Sequence, residues 1–247
     1  MSVVRFTLSD SPFAGRTGRG VRIAVVDSGI AIGHPHVGDL AEGVSLALTV
    51  TDTVDRIGHG TAVAAAIREK APGAELVPVK VFDTSLKTDA GTLADAIRWA
   101  ADHQCRVVNL SLGTANAEHA AMLESAVGYA AERGVLVVAA FESDAIRWIP
   151  GSLAGAVGVA GSADIEREDL IVDELGQPES LRVCASVFPR PIPGVPRERN
   201  LSGISFAVAN TSGFLARMLE TVDGLASVAG VSAILLAPGT GQAGRNS

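Results

Sequence analysis

The stretch VRIAVVDSGI, residues 21–30, decides the fold. Ile23 to Val26 are apolar at every position, and Asp27, Ser28 and Gly29 follow at once. That is a buried strand ending in a turn. A strand without polar alternation is covered on both faces, as in a parallel sheet. The chain on either side keeps the same rhythm. GTAVAAAIREK (60–70) reads as a helix and AELVPVKVF (74–82) as a strand. AGTLADAIRWAADHQ (90–104) is an amphipathic helix with Leu93, Ile97 and Ala100 on one face. CRVVNLSLG (105–113) is a strand, and residues 117–134 form a helix stopped by Gly134. VLVVAAF (135–141), GAVGVAGSA (155–163) and LRVCASV (181–187) are further strands. The proline-rich FPRPIPGVPRERN (188–200) leads to a helix over residues 203–222, interrupted by Gly213.

Strand and helix in alternation imply right-handed crossovers and a mainly parallel central sheet flanked by helices. The expected architecture is a three-layer α/β fold. With no internal repeat and no break in composition, residues 1–247 read as one domain. A short N-terminal extension (1–17) and a C-terminal tail from about residue 238 to 247 flank it.

Composition narrows the function. The chain is 47% hydrophobic and 4% aromatic, with a net charge of −7 and no offsetting basic cluster. That argues against a nucleic-acid partner. Cys105 and Cys184 are too few for a disulfide framework and lack a neighbouring Cys for zinc, so they read as buried free thiols. The N-terminus carries charges and glycines where a signal peptide needs an apolar core. The apolar run at residues 231–238 is too short to span a membrane. The expectation is a cytoplasmic protein with no membrane association.

Three residues stand out chemically. Asp27 follows four apolar residues, a costly place for a carboxylate without a partner; the plain alternative is a turn cap. His59 sits in RIGHGTAVAAAI (56–67), between two glycines at the mouth of an alanine-rich helix. The plain alternative there is an exposed turn histidine. Ser205, in LSGISFAVAN (201–210), begins a helix of small residues, where N–H groups favour an alkoxide or an oxyanion. The plain alternative is a helix cap. His34 and His36 lack further spaced ligands for a metal, and His103 and His119 have ordinary surroundings.

Taken in order, these motifs resemble those of the subtilases, the subtilisin-like serine peptidases. IAVVDSGI is similar to the family's aspartate motif, GHGTAVAAAI to its histidine motif and GISFAVANTSGFLA to its serine motif. VVNLSLG and GVLVVAA are similar to its substrate-lining strands, and IPGSLAGAVGVAG to a further segment. The resemblance runs from about Gly18 to Arg217. It implies that Ser205 attacks a scissile carbonyl, that His59 moves its proton and that Asp27 orients the imidazole. It further implies that Ser111, Leu112 and Gly113 form one wall of the cleft, pairing with an extended peptide. Ala139, Ala140 and Phe141 form the facing wall, with Phe141 narrowing the first pocket.

The chain also departs from the family pattern. The asparagine that normally follows the VVAA strand and completes the oxyanion hole is replaced by Glu142 or Ser143, depending on the gap. Ala209 stands where the family has proline, and Ala62 where it often has histidine. The loop after the His59 helix is too short for the calcium site many members carry. No propeptide, metal or cofactor is expected, and the sequence does not indicate an oligomeric state. The implied activity is endopeptidase cleavage of peptide or protein, with a specific precursor or leader peptide as the substrate. The alternatives are a pseudopeptidase that binds without turnover, or a ligase or macrocyclase. Thermal melts with and without a chelator are expected to coincide; a large chelator-induced drop in Tm would reveal a missed metal site.

Overall fold

The structure, a computed structural model, describes residues 2–173, 180–237 and 240–245. The chain begins with β1 (Ser2–Thr7) and β2 (Arg22–Asp27), then a short β3 (Val44–Ser45). Next come α1 (His59–Lys70), β4 (Glu75–Lys80), α2 (Ala90–Asp102), β5 (Val107–Leu110) and α3 (Ala120–Glu132). β6 (Leu136–Ser143) turns back into β7 (Ile146–Arg147). The chain ends with β8 (Ala156–Ser162), β9 (Asp169–Asp173), β10 (Leu181–Ser186), α4 (Ile204–Leu219), α5 (Val228–Leu235) and β11 (Gln242–Arg245).

The strands form one sheet in the order β11-β1-β9-β10-β8-β6-β5-β2-β4-β3, with β7 on β6. From β10 to β3 every pairing on this path is parallel. β9, β1 and β11 extend the sheet antiparallel. The N-terminal extension thus contributes a strand, and so does part of the C-terminal tail. Residues 238, 239, 246 and 247 of that tail lie outside the described residues. Neither outer strand has the apolar run that marks the parallel ones, because each borders an edge of the sheet rather than its covered middle.

The two faces bury separate cores. Ile23 and Val25 of β2 face α1 and α4, where Val63, Ile67, Val208 and Leu215 pack. Ala24 and Val26 face the other way, onto Leu93 and Ile97 of α2 and Leu123 and Val127 of α3. This alternation explains the unbroken apolar runs: both faces of each central strand are dry. Among the described residues, no helix is long and apolar enough to cross a membrane. Cys105 is buried and free, its thiol pushed up to about 11, chiefly by burial. Cys184 is free but only half-buried.

α4 runs unbroken through Gly213, contrary to the expected interruption. The glycine serves packing instead. A Cβ at position 213 would stand 2.5 Å from Lys70 Cβ and 3.1 Å from the Ile67 carbonyl oxygen, so α1 and α4 meet there backbone to backbone. Gly128, exposed on α3, has nothing within 4 Å of such a Cβ. The two glycines should therefore respond oppositely to alanine. Gly213→Ala is expected to lose about 1–3 kcal/mol by overpacking. Gly128→Ala should gain up to about 1 kcal/mol from helix propensity. Urea denaturation checks both.

Candidate active site

Val26, Leu110 and Ala139 are in register across the parallel strands. The residues that follow them, Asp27, Ser111 and Ala140, therefore share the carboxyl edge, where open α/β sheets place their ligands. Asp27 is fully buried. Its Oδ1 accepts from the Ser28 N–H at 2.7 Å. His59 Nδ1 lies 2.8 Å from Oδ1 and 3.0 Å from Oδ2. The imidazole is 21% exposed, so the ring edge away from Asp27 can meet a ligand.

The glycines around His59 have separate reasons. Gly58 caps α1 with φ 91°, a left-handed conformation that favours glycine. At position 60, a Cβ would stand 2.2 Å from the Gly29 carbonyl oxygen and 3.1 Å from Asp27 Cβ. The helix can therefore bring its first turn against the end of β2 only without a side chain there.

A second carboxylate, Asp55, braces this approach. Its Oδ1 accepts from Ser28 Oγ at 2.9 Å, Ile57 N at 2.9 Å and Gly58 N at 2.8 Å. Its Oδ2 accepts from Thr61 N at 2.9 Å and Thr61 Oγ1 at 2.6 Å. Burial works against its ionisation, but these hydrogen bonds prevail and hold its pKa below the ordinary value. Ser28 Oγ in turn accepts from Gly60 N at 3.0 Å. The fully buried Lys80 donates to the Ser28 and Val54 carbonyls at 2.9 and 2.8 Å, tying β4 to both loops. Sequence reasoning missed Asp55 and Lys80. The signal for Asp55 was a carboxylate four residues before His59, in the turn that leads into α1, where an Asp accepts from the backbone N–H groups that follow it.

Ser205 lies in the first turn of α4 and is half-buried. Its Oγ donates to the Ser111 carbonyl at 3.2 Å, and Ser111 Oγ donates to the Ser205 carbonyl at 3.4 Å. Behind them Asn109 Nδ2 donates to Ser111 Oγ at 3.0 Å, and Ser212 Oγ donates to Asn109 Oδ1 at 3.0 Å. The neighbouring Phe206 ring is 6.1 Å from the His59 ring. Among the described residues, no hydrogen bond joins Ser205 to His59. The structure thus pairs Asp27 with His59 and brings the start of α4 beside them, while the Ser205 hydroxyl rests on Ser111.

The two expected walls differ from each other. Leu112 and Gly113 follow β5 without a backbone hydrogen bond among the described residues, and Thr114 beyond them pairs with Ile149. Trp148 stands against this wall: a Cβ on Gly113 would lie 3.3 Å from Trp148 Cβ. Ala139 and Ala140 are buried in the middle of β6. Phe141 is the bulged residue between β6 and β8. Its ring packs over Gly158 between the Arg147 and Arg182 guanidinium groups, 5.1 and 4.5 Å away. The aromatic side chain beside Gly113 is therefore Trp148.

Glu142 and Ser143 lie in a tight hairpin with Arg147 and Ile146 as their partners. Asp144 and Ala145 form its turn, with φ of 52° and 60°. Glu142 is exposed, and Ser143 Oγ accepts from Trp148 Nε1 at 2.9 Å. Neither makes a hydrogen bond with Ser205 or His59 among the described residues.

The Subtilase family model matches residues 18–144, from before β2 to the turn of this hairpin. The chain belongs to the subtilase family. It is 41% identical over 135 residues to Subtilisin Savinase of Lederbergia lenta, covering 51% of this chain and 49% of that protein. It is 31% identical over 221 residues to a thermostable alkaline protease of Halalkalibacterium halodurans, covering 82% and 57%. The chain thus spans about half the length of these two relatives. Among solved structures, a cold adapted subtilisin-like serine proteinase shares the fold, with a TM-score of 0.70, 22% identity and coverage of 89% and 82%. A lanthipeptide protease does so with a TM-score of 0.68, 18% identity and coverage of 90% and 81%.

The electrostatics of His59 in this subtilase carry a testable consequence. Burial lowers the imidazole pKa, but the hydrogen bond and charge of Asp27 and the charge of Asp55 outweigh it, so the net shift is upward. A base works only when neutral, so the rate of Ser205 labelling by a fluorophosphonate should rise with pH. Its midpoint should lie above the ordinary histidine value of about 6.5. Asp55→Asn removes one raising charge and should move the midpoint down. The linked stability runs the other way: it is complete below about 6.5 and fades as pH rises through the raised value.

Proposed function

We propose that this subtilase is a serine endopeptidase working through Ser205, His59 and Asp27. The observation that carries the reading is the buried Asp27 carboxylate on Nδ1 of His59, at the sheet edge where α4 presents Ser205. An extended peptide lies along Leu112 and Gly113, whose peptide groups have no backbone partner among the described residues. Ser205 Oγ leaves the Ser111 carbonyl and attacks the scissile carbonyl carbon while its proton passes to His59 Nε2. Asp27 stabilises the imidazolium. The developing oxyanion meets the N–H groups at the start of α4. His59 then protonates the leaving amine, the C–N bond breaks and an acyl-enzyme remains. Water, deprotonated by the same imidazole, adds to the acyl carbon; the bond to Ser205 Oγ breaks, Oγ takes the proton back from the imidazolium, and the acid is released.

The oxyanion site is the weak part of this machine. By the resemblance, Glu142 or Ser143, depending on the gap, stands in for the usual amide donor, and an ionised Glu142 would repel the oxyanion. A slow general catalyst suits a narrow substrate. The substrate is therefore a specific precursor or leader peptide, processed in the cytoplasm. The pseudopeptidase reading rests on one observation, the Ser205 hydroxyl bonded to Ser111 rather than to His59.

Fluorophosphonate labelling separates the two readings, since covalent capture of Ser205 requires an activated hydroxyl. Labelling that is lost in Ser205→Ala supports the peptidase; an unlabelled wild-type protein supports the binder. Asp27→Asn is expected to slow turnover by about 10⁴-fold, the cost of the wrong imidazole tautomer in such triads. One of Glu142→Asn and Ser143→Asn should raise kcat, by up to about 10²–10³, the value of one oxyanion donor. If both leave kcat unchanged on a cleaved peptide, another group completes the hole.

A further inference from the structure

A cavity of about 460 Å³ opens beside the candidate site, between the loop carrying His34 and His36, the start of α1 and the segment before α4. That volume is within the range of about 300–1,000 Å³ typical of ligand pockets. Gly58, next to His59, lines it, and so does Leu201, four residues before Ser205. None of residues 111–113 or 139–141 does. The cavity therefore begins one residue from His59, away from the two expected walls of the cleft.

Its chemistry is uneven. Ala62, Ala65 and Ile192 supply an aliphatic lining. Arg190 supplies a charge: its backbone carbonyl accepts from Asn200 Nδ2 at 3.1 Å, while its guanidinium has no ion pair among the described residues. His34 and His36 stand together with ring centroids 5.4 Å apart, and the His36 N–H donates to His34 Nδ1 at 3.3 Å. The charge of Arg190, then burial and then His34 lower the His36 pKa, so the cationic field of Arg190 reaches His36. Asp55 also lines the cavity, but five donors already occupy its oxygens. In a chain of net charge −7, an arginine with no ion pair among the described residues, lining a hollow that is aliphatic on one side, is a place for an anion with a short carbon stem.

We infer that this cavity is a leaving-side subsite that binds a carboxylate of the peptide through Arg190 and the His34–His36 pair. The inference rests on the peptidase reading for its orientation. His59 hands its proton to the leaving amine, so the chain beyond the scissile bond departs past the imidazole, and Gly58 begins the cavity there. The carboxylate is either an Asp or Glu side chain or the terminal carboxylate of a short leaving peptide.

Two measurements on the full chain test this. In the first, a peptide library is cleaved by wild type and by Arg190→Gln, and the products are read by mass spectrometry. Wild type should enrich Asp, Glu or a nearby C-terminus after the cleaved bond, and Arg190→Gln should lose that enrichment while its fluorophosphonate labelling rate stays unchanged. In the second, fluorescein-labelled hexapeptide pools bind to Ser205→Ala and to Ser205→Ala/Arg190→Gln. The pools carry either fixed Glu or fixed Gln, and end in either a free acid or an amide. The acidic pools should bind Ser205→Ala about tenfold more tightly, as one charge-assisted contact predicts, and lose that margin when Arg190 is changed. The Glu-against-Gln and acid-against-amide arms identify the source of the carboxylate. Equal binding of all pools overturns the subsite, as does a margin that survives Arg190→Gln. If wild-type Ser205 resists labelling, the peptidase reading fails, and the binding arm still decides the subsite alone.

Discussion

A carboxylate with no access to water has to be satisfied entirely by its neighbours, and Asp27 is that carboxylate. It has the Ser28 N–H and the His59 imidazole. Holding the imidazole there constrains everything around it. α1 must start against the end of β2, so position 60 must lack a Cβ and position 58 must turn left-handed. The loop before α1 must be pinned, which Asp55 does with five accepted hydrogen bonds. Lys80 then fastens the Ser28 and Val54 carbonyls from the next strand. The Asp27–His59 pair is the centre of a small polar framework inside an apolar domain. Removing one member would strand the charge of another.

The serine side is built differently. α4 is buried along most of its length, and its small residues let it press against both α1 and the sheet. Ser205 is placed by the helix, and its hydroxyl by the chain Ser212, Asn109, Ser111. The carboxylate–imidazole pair and the hydroxyl are thus held by two separate networks that meet at the sheet edge. This separation lets the Ser205 hydroxyl have its own partner without disturbing the pair.

The β6–β7 hairpin reshapes the far wall. Its turn reverses the chain after β6, the bulge before it places Phe141 over Gly158, and the return strand brings Trp148 to Gly113. A sequence alignment counts positions along this stretch but does not register the bulge at Phe141. A bulge changes the side a residue faces without changing its place in the chain.

The sequence by itself determined the alternation of strand and helix, because unbroken apolar runs are tolerated only in strands dry on both faces, and those runs are written in residues 21–30, 105–113 and 135–141. It also determined Asp27, His59 and Ser205 as the residues to watch, since a carboxylate after four apolar residues, an imidazole between glycines and a hydroxyl at a helix start are each costly or special locally. The remaining features come from contacts made in the folded chain. The outer strands β1 and β11 depend on pairing with strands far away in the chain, which leaves little local periodicity. Asp55 and Lys80 look like ordinary surface charges until the fold surrounds them with backbone groups. The partner of the Ser205 hydroxyl, the direction of Phe141 and the cavity beside Gly58 arise from contacts between segments distant in sequence. Local pattern reports what a residue needs; which distant group meets that need is set by packing.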